Sequence, residues 1–302
     1  MPIDLTVVGL RWLQFVSAVV ALGLPLFQAF GLSEPGPQYP GRAPVIAGLA
    51  LAVTAVGGLL AQTAMMAGGW AAVLDPAALG YVVQSTGLGI AHVVRAGLAM
   101  LGVAALFFAW RRKSGGIVAI LAFAGAVASF AWSGHGAASE GAIGLWHLAA
   151  DIAHALAACV WLGALAGFCL QLFRPATQAA DLAVRSLARF ASIGTVAVAV
   201  LVITGLINAA FLIGAEGLGH VPGSTWGLLL IAKLALFAVM FALAAHNRLT
   251  LTPALSHAVE ARADTANVVR RLRTSIGLEM LAGLALLGLV AAMGVQMPPA
   301  SM

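Results

Sequence analysis

Apolar residues in this chain run in long unbroken blocks rather than in the alternating patterns of half-buried helices or strands. Eight such blocks stand near 5–30, 43–67, 88–110, 115–134, 144–173, 189–213, 224–247 and 273–296. Each holds roughly 20 residues or more, enough to cross a hydrocarbon core of about 30 Å as a helix. Continuous rather than alternating hydrophobicity excludes a transmembrane β-barrel. Pro-rich and Gly-rich text separates the blocks, as in Ser33-Glu34-Pro35-Gly36-Pro37 and Gly214-Ala215-Glu216-Gly217. The expected fold is all-α, a polytopic transmembrane helical bundle of about eight spans. Between the second and third blocks, Ala71–Ser85 reads as a short surface helix, with Asp75-Pro76 as its start signal. Ala176–Arg189, which carries Asp181, Arg185 and Arg189, reads as a second interfacial helix.

Composition sharpens this picture. Hydrophobic residues make up 62% of the chain and charged residues 8%, against roughly a quarter charged in a soluble domain. The lipid bilayer is therefore the main solvent of this protein. The first block, Leu5–Phe30, is too long for a signal-peptide core and has no charged leader, so it reads as the first span. The net charge of +5 does not point to nucleic acid, because the basic residues sit in short clusters between spans. These are Arg111, Arg112 and Lys113, then Arg174, Arg185 and Arg189, then Arg248, Arg262, Arg270, Arg271 and Arg273, with Arg42 agreeing weakly. The alternate loops, 134–144 and 214–224, contain no Lys or Arg. The positive-inside rule then places the basic loops in the cytoplasm and both termini on the outer, periplasmic side of a bacterial inner membrane.

Ionisable groups inside the spans carry the chemistry. A charge at the bilayer centre costs about 2.5–3.5 kcal/mol on insertion scales, so such groups face the protein interior and have partners. This chain has Arg11, Arg95, Asp151, Lys233 and Glu279 within its spans, together with His92, His147 and His154. The densest group is Trp146-His147-Leu148-Ala149-Ala150-Asp151-Ile152-Ala153-His154. His147, Asp151 and His154 fall within roughly 60° of one another on a helical wheel and form one polar stripe about two turns long. His92 and His135 are expected at comparable depth, near the outer ends of spans three and four. Met65 and Met66 at the end of span two, and Met293 and Met297 at the end of span eight, are also expected outside, with core packing the better reading of the methionines. Arg95 and Asp151 lie at similar depth, about 10 Å inside, and are expected to pair, with Lys233 as the alternative partner of Asp151. Glu279 is expected to anchor Arg248 or Asn247 rather than to bind metal.

Imidazole, thioether and carboxylate together suit copper: imidazole accepts either oxidation state and thioether selects the soft monovalent ion. On that reading His147, His154, His92, His135 and Asp151 form the metal site, with Asp151 orienting a ligating imidazole, and Arg95, Lys233, Met65, Met66, Met293 and Met297 support it. A second reading makes the chain a membrane cytochrome in which His92, His135, His147 and His154 hold haem b, with Ala150, Ala153, Ala157 and Ala158 leaving room for a flat cofactor. A third makes the polar residues simple interhelical hydrogen-bonding groups of a scaffold subunit. Cys159 and Cys169, about 15 Å apart along one helix, cannot bridge and read as buried structural thiols ahead of soft-metal ligands. No phosphate-binding loop and no nucleophile–base triad occurs, so a transporter is expected over an enzyme or an ATP-driven pump.

An ordered set of short motifs then resembles the copper resistance protein D (CopD) family. Trp146–Leu165 looks like that family's His-containing helix ending in Trp-Leu-Gly. Arg189-Phe190, Thr204-Gly205-Leu206-Ile207-Asn208-Ala209, Trp226-Gly227-Leu228-Leu229-Leu230 with Lys233, Asn247-Arg248, Arg270-Arg271-Leu272-Arg273 with Glu279, and Pro298-Pro299 follow in order. The set divides the chain into an N-terminal part, 1–184, and a copper-resistance-D-like part, 185–302, expected to form one integrated membrane domain. The resemblance implies an eight-span inner-membrane protein that moves copper toward the cytoplasm and receives it from a periplasmic copper-binding protein of the CopC type. With no His-rich or Met-rich tail and no appended soluble domain, ion capture is expected to depend on such a partner or on His135 and His147.

Overall fold

The computed structural model describes residues 3–32, 41–108, 113–134, 141–173, 176–214 and 217–301. His135, Arg111, Arg112 and Arg174 lie outside these described residues. Ten α-helices follow in order among the described residues: α1 (Ile3–Ala29), α2 (Arg42–Met66), α3 (Pro76–Ser85), α4 (Gly87–Phe108), α5 (Lys113–Ala128), α6 (Gly141–Leu172), α7 (Ala176–Ile213), α8 (Thr225–His246), α9 (Thr252–Glu260) and α10 (Ala266–Met293). Among the described residues there is no β-strand. Eight helices among the described residues are long and apolar enough to span a membrane, as continuous hydropathy requires when every backbone group must be satisfied within its own segment.

The connecting helix expected over Ala71–Ser85 forms as two pieces, a 3₁₀ segment at Trp70–Leu74 and α3, which starts at the Asp75-Pro76 signal. Asp75 caps α3, its Oδ1 accepting the Ala77 N–H at 2.9 Å, with Pro76 in the first helical position. Ser224 does the same for α8, its hydroxyl oxygen accepting the Gly227 N–H at 3.1 Å. A side chain at Gly227 would place Cβ 1.8 Å from the Val221 carbonyl oxygen, so only glycine fits that corner.

Further boundaries differ from the sequence expectation. Ala176–Arg189 is not a separate interfacial helix but the first turns of α7, which runs unbroken for 38 residues. At 1.5 Å per residue α7 is about 57 Å long and must project well beyond the hydrocarbon. Its projecting part is docked rather than loose: Ala180, Leu182 and Ala183 are buried, and the Ser186 hydroxyl donates to Gln171 Oε1 on α6 at 3.1 Å. Likewise α10 begins at Ala266 rather than near 273, so Arg270, Arg271 and Arg273 occupy its first turns. Span seven also continues past its expected end, through a π-turn at Asn247–Leu251 into α9.

Helix α1 is the hub, packed against α2, α5, α6 and α10. Its backbone comes against that of α6 where Gly23 and Gly163 face each other: a Cβ on Gly23 would lie 2.4 Å from Gly163 Cα. Small residues at that crossing bring two backbones into contact, which is how helices associate where lipid removes the hydrophobic drive. Phe27, Phe168 and Phe190 stack edge-to-face beside it, with centroids 5.2 and 5.5 Å apart. By contrast α8 packs chiefly on α10 and leaves Leu228, Ile231, Leu234, Val239 and Phe241 exposed, an apolar surface suited to lipid.

Cross-links sort the loops into two ends. At one end Arg189 donates to the Gly31 carbonyl (3.0 Å), Arg248 to the Ala191 carbonyl (3.2 Å), and Arg273 to the Leu172 carbonyl. At the other, Arg11 donates to the Ser133 carbonyl (3.0 Å) and its guanidinium lies against Gly294. Among the described residues Arg189, Arg248 and Arg273 therefore gather at a single end of the bundle.

Candidate intramembrane site

The His/Asp stripe of α6 faces a cleft of about 210 Å³ at the non-basic end of the bundle. Its walls come from α1, α5, α6, α7, α8 and α10, and it is lined by His147, Asp151 and His154 together with Arg11, Asn208, Lys233, Cys159 and Met293. Each polar side chain points inward because it sits on the one face of its helix turned from lipid.

His147 is buried and stacks flat on Phe211 of α7, with centroids 4.5 Å apart and planes 6° apart. His154 is held by a directed hydrogen bond. The Thr204 hydroxyl spends its single proton on the Val200 carbonyl (2.6 Å), so its oxygen accepts from His154 Nδ1–H at 3.0 Å. In the neutral ring that leaves the lone pair on Nε2, the nitrogen a metal would take. Asp151 accepts from Asn208 Nδ2 through Oδ1 at 3.2 Å and lies within electrostatic reach of both Arg11 and Lys233. His147 and His154, seven residues apart, stand about 10 Å apart along the axis and cannot share one coordination sphere. Among the described residues no three His, Cys, Asp or Glu side chains converge on one point. The arrangement offers successive stations with few ligands each, not a closed cage.

The remaining candidates separate. His92 is buried in a second, much smaller pocket among α1, α2 and α4, shared with Arg95, Gln14 and Gln62. Its Nδ1–H donates to the Leu88 carbonyl (2.9 Å), while Nε2 abuts Gly58, where a Cβ would come within 2.8 Å. Arg95 is directed away from Asp151, against the expected pairing. Its guanidinium donates to Gln14 Oε1 (2.7 Å), to the Ser129 hydroxyl (3.1 Å) and carbonyl (3.0 Å), and to the Ser133 hydroxyl (2.8 Å), and it lies 3.9 Å over the Phe130 ring. Four neutral acceptors and a π-face thus do the work assigned to a carboxylate, and Lys233 takes the place beside Asp151. Met65 and Met66 are exposed on the outside of α2 and Met297 is 72% exposed; of the four candidate methionines, Met293 alone lines the cleft. Asn208 belongs to a quoted motif, yet its contact with Asp151 was not foreseen, because motif order does not give helix azimuth. Glu279 behaves as expected, accepting from Asn247 Nδ2 at 3.1 Å and from Trp161 Nε1 at 2.9 Å.

Eight apolar helices, six of which wall a cleft lined by inward ionisable groups, define among the described residues a multi-pass membrane protein with an intramembrane polar site. Comparison with known proteins makes this specific. Residues 1–145 match the family profile described as copper resistance protein D-like, N-terminal domain, and residues 184–293 match that of copper resistance protein D. The chain is 34% identical over 304 aligned positions to copper resistance protein D of Pseudomonas syringae pv. tomato, covering 96% of each chain. It is 28% identical over 156 positions to inner membrane protein YebZ of Escherichia coli strain K12, covering 51% of this chain and 52% of the relative. No solved structure matches. The chain belongs to the copper resistance protein D family and is a multi-pass inner-membrane protein.

Proposed function

We propose that this protein carries copper across the inner membrane through the α6–α7–α8–α10 cleft, from the periplasm toward the cytoplasm. The observation that carries the reading is the imidazole of His154, whose Nδ1 is committed to Thr204, leaving Nε2 as a metal-binding lone pair in a polar cleft. Copper enters at His147, near the cleft mouth, and passes to His154 two turns deeper. Met293 adds a thioether suited to the monovalent ion. Asp151 supplies one negative charge, tempered by Lys233 and Arg11, which favours a singly charged cargo held weakly enough to leave. The single-ended basic loops support an orientation with that end in the cytoplasm and both chain termini in the periplasm. The cleft would then face a periplasmic donor of the CopC type.

Purified protein in liposomes tests the assignment. Cu(I) uptake by the wild type should be strongly reduced in His147→Ala and His154→Ala and abolished in the double variant. Undiminished uptake by a folded double variant removes the assignment.

A further inference from the structure

Beneath the cleft lies a second polar group that the copper path does not use. One layer of apolar packing forms the floor: Trp161 and Leu162 of α6, Phe237 and Met240 of α8, and Gly283 of α10, against which Leu162 presses. On its far side Glu279 is 1% exposed. Its two oxygens accept from Trp161 Nε1 and from Asn247 Nδ2, both neutral donors, and among the described residues no cation is bonded to it. From α6 it is faced by Trp161 and, electrostatically, the thiol of Cys169; from the end of α8 by Asn247; and along α10 by Ser275, one turn away, while Arg273 is turned to the Leu172 carbonyl and the Phe173 ring. Lys233 faces the cleft instead, and Arg248 is turned to Ala191 and Thr195 on α7. A carboxylate in such a place must be compensated by a cation or neutralised by a proton.

Two further observations point to a proton. Asn247 Oδ1 is buried and without a partner, directly beside the carboxyl. The amide therefore serves both states of Glu279: its NH₂ donates to a carboxylate, and turned over, its oxygen accepts from a carboxylic O–H. The π-turn that starts at Asn247 is closed by the Thr252 hydroxyl on the Asn247 carbonyl at 2.8 Å, which fixes the backbone while the side chain is left to turn. The other unpartnered polar atoms in this part of the bundle are Ser275 Oγ, one turn from Glu279, and Arg273 Nε, at the basic end. Ser275 Oγ and Arg273 Nε thus put polar atoms on the basic-end side of Glu279, whereas apolar side chains fill the side toward the cleft.

We propose that Glu279 is a proton-binding site that loads and unloads through the basic end of the bundle and, through its hydrogen bond to Trp161, couples proton movement to the floor of the cleft. In each cycle the carboxyl O–H bond breaks, the proton leaves to water at that end, and the carboxylate is held by Trp161 and Asn247 until it is reprotonated. The coupling rests on the transport reading above; proton binding does not.

Infrared spectroscopy of the full chain in liposomes without copper tests the site. A carboxylic C=O band should vanish reversibly as pH is raised, be missing from Glu279→Gln, and shift in Trp161→Phe, which keeps the carboxyl but loses one donor. No titrating band, or one unchanged in both variants, overturns the proton site. In the same liposomes an imposed pH gradient should change wild-type Cu(I) flux at least several-fold and leave Glu279→Gln flux unresponsive. A Glu279→Gln response equal to wild type overturns the coupling. Wild-type liposomes that carry no copper overturn the transport reading instead, and the infrared result then decides the proton site by itself.

Discussion

Thr204→Val tests the ligand argument without touching a ligand. The substitution keeps the side-chain shape of Thr204 but removes the oxygen that accepts His154 Nδ1–H at 3.0 Å. The ring stays confined, because Gly205 leaves its Cβ position only 3.4 Å from His154 Cε1, but its tautomer is no longer fixed. Loss of such a supporting hydrogen bond costs roughly 10- to 100-fold in metal affinity, or about 1.4–2.7 kcal/mol. The structural cost should be smaller, about 0.6 kcal/mol for an interhelical hydrogen bond in a membrane. The predicted signature is thus a large fall in Cu(I) affinity, read by competition with a chelator, beside a small fall in melting temperature. Equal Cu(I) affinity in wild type and Thr204→Val, with His154→Ala impaired, would show that the hydroxyl does not set the binding nitrogen and refute the argument.

Other substitutions separate the two pockets. Arg95→Lys replaces a planar fork by a point charge that cannot serve Gln14, Ser129 and Ser133 together; at about 1.5–3 kcal/mol per charged hydrogen bond lost, it should sharply lower thermal stability in detergent. His92→Ala should cost stability yet leave Cu(I) affinity within about twofold, since His92 Nε2 is walled by Gly58; chelator competition checks this. Asp151→Asn leaves Arg11 and Lys233 without their carboxylate and should reduce both yield and melting temperature, while adding Lys233→Met should restore part of the loss, the mark of a coupled pair in a double-mutant cycle.

The parts of this molecule that depend on one helix at a time were legible in its sequence. Hydropathy located the eight spans, Asp75-Pro76 predicted the start of α3, and the 3.6-residue period placed His147, Asp151 and His154 on one face. What depends on the relative rotation of two helices was not. Arg95 and Asp151 share a depth, but Arg95 is turned toward α1 and the end of α5 while Asp151 is turned toward α7, so depth alone mispaired them. Depth likewise does not sort the methionines: of the four candidates, azimuth puts Met293 in the cleft and leaves Met65, Met66 and Met297 exposed rather than packed in the core. The length of α7 was missed because hydropathy drops at Arg185 and Arg189 although no proline lies between Ala176 and Ile213. Of the two partners expected for Glu279, Asn247 is the one that bonds it, while Arg248 is turned to α7 and Trp161 supplies a donor that depth alone did not indicate.

The central claim is that copper is held by imidazole nitrogen within the cleft. X-ray absorption at the copper edge of Cu(I)-loaded protein measures this directly. The account predicts low coordination with imidazole scattering that weakens in each of His147→Ala and His154→Ala and is lost in the double variant. Scattering unchanged in the double variant, or coordination by sulfur alone, would contradict it.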